Sequence, residues 1–227
     1  MPHGVCGPLR SIIRAVDEQP PSHYFSPAEG LGSRRQTVRL ALADQTLELS
    51  TDRGVFSAGR VDPGTGLLLS RAPEPPREGS ILDLGCGYGP VAIAVAKRAP
   101  GARVWAIDVN DRALELTRAN ASALGVENVT ALKPDEVPAE LRFDAIYSNP
   151  PIRIGKQQLH EILLHWLGRL TPDGRAYLVV QKHLGSDSLA RWLDESGFPT
   201  ERLATKSAYR VLAVAPPPAG PRLTETP

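Results

Sequence analysis

The chain has 227 residues, 41% of them hydrophobic and 22% charged, with a formal net charge of +1. This is enough apolar mass for one α/β domain with a small appendage, and it excludes a fibrous or wholly disordered chain. Two cysteines, Cys6 and Cys86, give no support to a disulfide framework, no apolar run is long enough for a membrane span, and a net charge of +1 neither announces nor excludes a nucleic-acid partner.

The first stretch, "MPHGVCGPLRSIIRAVDEQPPSH", has only a very short apolar patch and makes a poor signal peptide, so the chain reads as cytoplasmic. Residues 1–21 carry scattered prolines and read as an extension of low order. Residues 22–72 form an N-terminal hairpin and loop segment. Within it, "TVRLALADQTLEL" alternates apolar and polar residues on both sides of Ala43-Asp44-Gln45, the pattern of two strands joined by a turn. The glycines at 54, 59, 64 and 66 make the next stretch loop-rich until a short helix near 65–71. Residues 73–79, "PEPPREG", are a proline-rich linker.

From Ser80 strands and helices alternate, and residues 80–215 read as the main domain. The expected strands are 81–84, 103–108, 129–132, 143–148 and 174–181, with "TERLA" and "YRVLAVA" finishing the sheet. The expected helices are 90–99, 111–125, 156–170 and 186–197, the last with a Ser186 cap and a glycine stop. Residues 216–227 are a tail. Alternation of this kind predicts an α/β fold with a mostly parallel sheet covered on both faces.

"LDLGCGYGP" (82–90) stands at a strand-to-helix junction. Gly85, Gly87 and Gly89 permit a sharp turn and close approach of a ligand beyond the strand end. The dinucleotide fingerprint G-x-G-x-x-G/A fails here, because its last position is Pro90. Asp83 stands just before the turn and would repel a pyrophosphate, so the residues argue against NAD and for a ligand with positive charge. Asp108 follows Gly89 by 19 positions, at the end of the next strand, where an acid accepts hydrogen bonds from ribose hydroxyls. A ribose and a positive group together fit S-adenosylmethionine. Asn110 or Asp111 is better placed than Asp108 as the cap of the following helix.

In this order, "LDLGCGYG", "AIDVN" and "SNPPI" resemble the class I S-adenosylmethionine-dependent methyltransferases. The likeness is closest to the "methyltransferase small" group, which includes the small-subunit ribosomal RNA guanine-N2 methyltransferase C. It extends to "HYFS", "DRGVFSAGRVDPGTGLLL" and "VVQKHLGSDSL", covering about residues 22–215. The resemblance implies a Rossmann-like fold of seven strands, the last antiparallel. It implies that Asp83, Gly85, Cys86, Gly87, Tyr88 and Gly89 line the methionine part of the cofactor. It puts Asp108 on the ribose, Val109 and Asn110 beside the adenosine, Asp135 against the adenine, and Phe56 on a segment that closes over the site.

The strand "FDAIYS" (143–148) is stopped by Asn149, Pro150 and Pro151. Two prolines cannot continue a sheet ladder, so they make a stiff corner. The resemblance puts this corner beside the transferred methyl group. There the Asn149 side-chain carbonyl and the Pro150 backbone carbonyl present two acceptors, which would orient an exocyclic NH2 for in-line attack without a general base. Asn149 thus belongs to both the catalytic and the cofactor-facing sets. In amino methyltransferases of this type an aromatic residue often follows N-P-P. Here it is Ile152, an apolar wall without the stacking that is worth roughly 1–3 kcal/mol per base.

Ile152, Arg153, Lys156 and Lys182 are the expected substrate contacts, and with Arg34, Arg35, Arg39 and His183 they offer cations to phosphates. His160 and His165 lie five positions apart on one helix, share no face, and suggest no metal. The expected activity is methylation of an exocyclic amine, guanine N2 of 16S ribosomal RNA, with the RNA or the small ribosomal subunit as partner. The alternatives are methylation of a protein glutamine and a cofactor- or RNA-binding module without activity.

Overall fold

In the sequence, apolar positions repeat every second residue in two clusters, and the structure turns each into a sheet. The computed structural model of the chain describes residues 35–151 and 154–218. The expectations for residues 1–21, Arg34, Ile152, Arg153 and the end of the tail lie outside these.

Strands β1 (Gln36–Ala41) and β2 (Thr46–Thr51) form an antiparallel hairpin. Val38 pairs with Leu49 and Leu40 with Leu47. All four are buried, while Arg39 opposite Glu48 faces outward, as the pleat requires. The chain then enters helix α1 (Pro63–Arg71), for which Asp62 is the N-cap and Pro63 the first residue.

The remaining strands are β3 (Ser80–Leu84), β4 (Arg103–Ile107), β5 (Val129–Leu132), β6 (Phe143–Ser148), β7 (Leu170–Gln181), β8 (Thr200–Lys206) and β9 (Tyr209–Val214). They form one seven-stranded sheet in the order β5-β4-β3-β6-β7-β9-β8. Only β9 runs against its neighbours. Helices α2 (Pro90–Arg98), α3 (Asp111–Ala123), α4 (Lys156–Leu167) and α5 (Ser186–Glu195) complete the fold. The hairpin, α1, α2 and α3 share one core with the Ile81 face of the sheet. Helices α4 and α5 share a second core with the Leu82 face. The expected Rossmann-like α/β architecture, with helices on both faces and a small N-terminal hairpin, is therefore the one observed.

Two local expectations are corrected. Helix α4 ends at Leu167 rather than running to 170, and β7 begins at Leu170 rather than 174. The Arg169 guanidinium leaves the helical path to lie over Trp166 and Phe143, at 4.9 and 5.6 Å from their rings. Its carbonyl accepts from Phe143 N at 2.8 Å, which starts sheet pairing early. Ser186 is not the cap of α5. The cap is Gly185, at φ 97°, because the 3-10 turn at Lys182–Leu184 leaves through a left-handed residue that glycine adopts without strain. Among the described residues no helix is long and apolar enough to cross a membrane.

Candidate active site

The chain runs from β3 outward to β5, then returns to add β6 on the other side of β3. Such reversals open a crevice at the carboxyl ends of the strands. Leu84 is in register with Ile107 on one side and Ser148 on the other. Gly85, Asp108 and Asn149 therefore leave the sheet in one row, with strands about 4.8 Å apart. The Ser148 hydroxyl donates to Leu84 O at 2.8 Å and fastens the row.

All three glycines of the loop after β3 have positive φ: 77° at Gly85, 57° at Gly87 and 90° at Gly89. At Gly85 and Gly87 a Cβ would meet nothing within 4 Å, so their backbone borders open space. At Gly89 a Cβ would stand 3.0 Å from Thr117, so this glycine lets α2 pack against α3. The loop is tied down on its far side. Gly85 N and Cys86 N both donate to Ile107 O, and Thr117 Oγ1 donates to Gly87 O at 2.9 Å. Cys86 and Tyr88 turn their side chains into the core, leaving only backbone on the open side. Burial pushes the Cys86 thiol up, with the Asp108 and Asp83 charges adding, which suits an inert cysteine. Burial also pushes the Tyr88 phenol up to about 12, with the Asp62 charge adding.

Asp83 is 2% exposed and accepts from Ala92 N at 2.8 Å. Burial pushes its carboxyl up to about 7; the Ala92 bond opposes this and the Asp108 charge adds to it. Asp108 accepts from Gly87 N at 2.9 Å and Asn110 N at 3.0 Å. Burial raises it as well, against those backbone bonds. Asn110 is the cap of α3: its Oδ1 accepts from Arg112 N at 2.9 Å, and its Nδ2 donates to Gly54 O at 2.8 Å. Val109 lies half-buried between these two residues.

The segment 52–62 forms an arch from the Asn110 side of this crevice to the Asn149 side. Asp52 anchors its start through Arg112, at 2.6 Å, and Gly54 is held by Asn110. Phe56, on the arch, is 66% exposed. Asp62 ends the arch and reaches the proline corner. There Asn149 Nδ2 donates to Asp62 Oδ1 at 2.8 Å and to Thr65 Oγ1 at 3.2 Å. Among the described residues nothing donates to Asn149 Oδ1. Pro150 is buried and Pro151 half-buried.

Glycine loop, Asp83, Asp108, Val109, Asn110 and Asn149 thus meet at one edge, with the Phe56 arch fastened to Asn110 and Asn149. Asp135 stands exposed on the turn after β5, with no contact to that row. Lys156 and Lys182 are exposed at the start of α4 and just beyond β7. Arg35 and Arg39 lie on the hairpin. Asp62, Thr65, Asn120 and Tyr209 carry contacts that sequence reasoning missed. "VDPG" is a legible helix start, but a partner 87 positions away leaves no local pattern.

Comparison with known proteins agrees with this geometry. The methyltransferase small domain family matches residues 46–213. The Bacillus subtilis protein YbxB, itself uncharacterized, is 35% identical over 193 residues, 84% of this chain and 96% of that one. Ribosomal RNA small subunit methyltransferase C of Shewanella amazonensis is 31% identical over 180 residues, 77% of this chain and 51% of that protein. A solved structure of the T. thermophilus 16S rRNA N2 methyltransferase RsmC, in complex with AdoMet and guanosine, superposes with a TM-score of 0.71. It is 27% identical, covering 83% of this chain and 52% of that one. The chain thus spans about half the length of the RsmC relatives and nearly all of YbxB. With the glycine row, the acid at the next strand end and the Asn-Pro-Pro corner in the places this alignment covers, the chain belongs to the methyltransferase small domain family.

Proposed function

We propose that this S-adenosylmethionine-dependent methyltransferase methylates an exocyclic amine, and that the amine is guanine N2 of 16S ribosomal RNA. The carrying observation is the Asn149 amide: both acceptors on its Nδ2 side are supplied by the protein, so its carbonyl is the side left for a substrate. A carbonyl facing the substrate selects a target that brings N–H.

The crevice fits the cofactor. Gly85 and Gly87 leave the space a ligand needs at the backbone. A carboxylate offers about four acceptor positions, and the backbone around Asp108 does not fill them all, which leaves acceptor capacity for ribose hydroxyls. Asp83, a buried acid without a cation, is complementary to a ligand carrying ammonium and sulfonium charge. When bound, S-adenosylmethionine supplies an electrophilic methyl group.

What the chain's own residues do follows from their placement. Asn149 Oδ1 and the Pro150 carbonyl accept the two amine hydrogens and turn the nitrogen lone pair toward the crevice. The prolines hold that aim without further ordering, so the rate comes from positioning and fixed dipoles. Lys156 and Lys182 meet phosphates of the RNA, and Phe56 covers the cofactor. Relatives named for ribosomal RNA support guanine over a protein glutamine, whose amide presents the same two hydrogens. The test is transfer of labelled methyl to naked RNA, small subunits and whole ribosomes, followed by nucleoside mass spectrometry. The expected product is N2-methylguanosine in 16S RNA. Label found only in protein would overturn the guanine reading.

A further inference from the structure

Asn149 is held by Asp62 and Thr65, and Asp62 is held in turn by Tyr209, from a distant part of the chain. Asp62 Oδ1 accepts from Gly64 N at 2.8 Å, Thr65 N at 3.1 Å and Asn149 Nδ2 at 2.8 Å. Its Oδ2 accepts from the Tyr209 hydroxyl at 3.3 Å, and Gln181 Nε2 donates to that hydroxyl at 3.0 Å. Asp62 and Thr65 are buried. Gly64 permits the arrangement: a Cβ there would stand 2.7 Å from the Tyr209 ring. All four groups donating to Asp62 are neutral, so no cation competes with the amide for the carboxylate.

An amide has a donor end and an acceptor end. Turned over, Asn149 would set its carbonyl against the Asp62 carboxylate, which has no hydrogen to give. We infer that Asp62 is a positioning residue that locks Asn149 as an acceptor and so restricts this enzyme to targets bearing N–H donors. The inference rests on the proposed reading of Asn149 as the group that holds the target amine. Asp62 acts by excluding the wrong amide orientation and by polarising the right one, since hydrogen bonds in a chain strengthen one another. A ring nitrogen without hydrogen or a carbonyl oxygen at the target position would meet the Asn149 oxygen lone pair to lone pair.

Asp62 also caps α1, and a cap alone must be told apart from a lock. Asp62→Ser keeps a capping oxygen but is too short to reach Asn149; Asp62→Asn keeps both reach and acceptor. The expected result is a loss of turnover on the order of 10- to 100-fold in Asp62→Ser. Cofactor affinity and melting temperature should stay near wild type, and Asp62→Asn should recover most of the turnover. Combined with Asn149→Ala, Asp62→Ser should slow the enzyme no further, because the lock has nothing left to hold. Wild-type turnover in Asp62→Ser, or additive losses in the double variant, would overturn the inference. If the product is a methylated glutamine, the guanine reading fails but the same cycle run on that amide still decides the inference. Methyl found on an oxygen, or on a ring nitrogen that carries no hydrogen before reaction, overturns it outright. If no acceptor is found, hydrogen exchange of the Asn149 side-chain amide decides: slow in the wild type, fast in Asp62→Ser. Equal rates would overturn the inference.

Discussion

At Asp83 the chain keeps a carboxyl group under the first turn of α2, with one backbone N–H as partner and no cation. Its folded value of about 7 lies above the ordinary 3.8. The stability it contributes is therefore fully present below about pH 3.8 and is lost as pH rises through about 7. Asp83→Asn should raise the melting temperature most at pH 8, less at pH 5, and leave it unchanged below about pH 3.8. Binding has the opposite sign. A cationic ligand favours the ionised acid, so cofactor affinity should rise as pH passes from about 6 to 8, by up to about tenfold per unit. Titration calorimetry across that range checks this, and Asp83→Asn should flatten the profile. Two neighbours separate binding from chemistry. Asp108→Ala should weaken cofactor binding by about 1.5–3 kcal/mol. Asn149→Ala should leave cofactor binding near wild type and cut single-turnover methylation by about 10²–10³. If Asn149→Ala lost cofactor binding with the rate, Asn149 would belong to the cofactor shell.

The elements differ in how openly the chain announces them. Strands β3 to β6 and helices α2 and α3 could be read from alternation, glycine stops and a first-turn proline, because each is set by its own residues. Asp83, Asp108 and Asn149 were legible for the same reason: each stands at a strand end that the pattern marks. The ends of α4 and β7 were not, since Arg169 chooses its path by stacking on Phe143, well upstream. Nor was the arch, whose hold on Asn149 exists only in three dimensions. Within the glycine loop the structure assigns different duties to like residues. Gly87→Ala puts a methyl into open space at φ 57°, with a backbone cost of about 1–2 kcal/mol. The fold should survive this, while cofactor affinity falls by more than the stability does. Denaturant melts and calorimetry on one sample compare the two losses.

Across the whole molecule, cations are balanced by anions rather than massed: 26 Lys and Arg stand against 25 Asp and Glu, and Lys156, Lys182, Arg35 and Arg39 are exposed on different elements. Phosphate contacts should then be few, and RNA affinity should decline gently with salt. Each contact removed, as in Lys156→Ala or Lys182→Ala, should lower the log–log salt slope by about 0.7, the value for single strands. The hairpin adds a constraint of another kind. Asn120 on α3 accepts from Ser50 N and donates to Ser50 O and to Tyr88 O, so one side chain ties β2 to the glycine loop. Leu47 and Leu49, fully covered in the finished fold, get their cover from α2 and α3. On the ribosome those strands emerge first, and a lone hairpin is only marginally stable in water. For the 70 residues between Ser50 and Asn120 the nascent chain carries an uncovered apolar ribbon. A pause in translation before α3 is made would hold it in that state, open to chaperones and to pairing with other nascent chains.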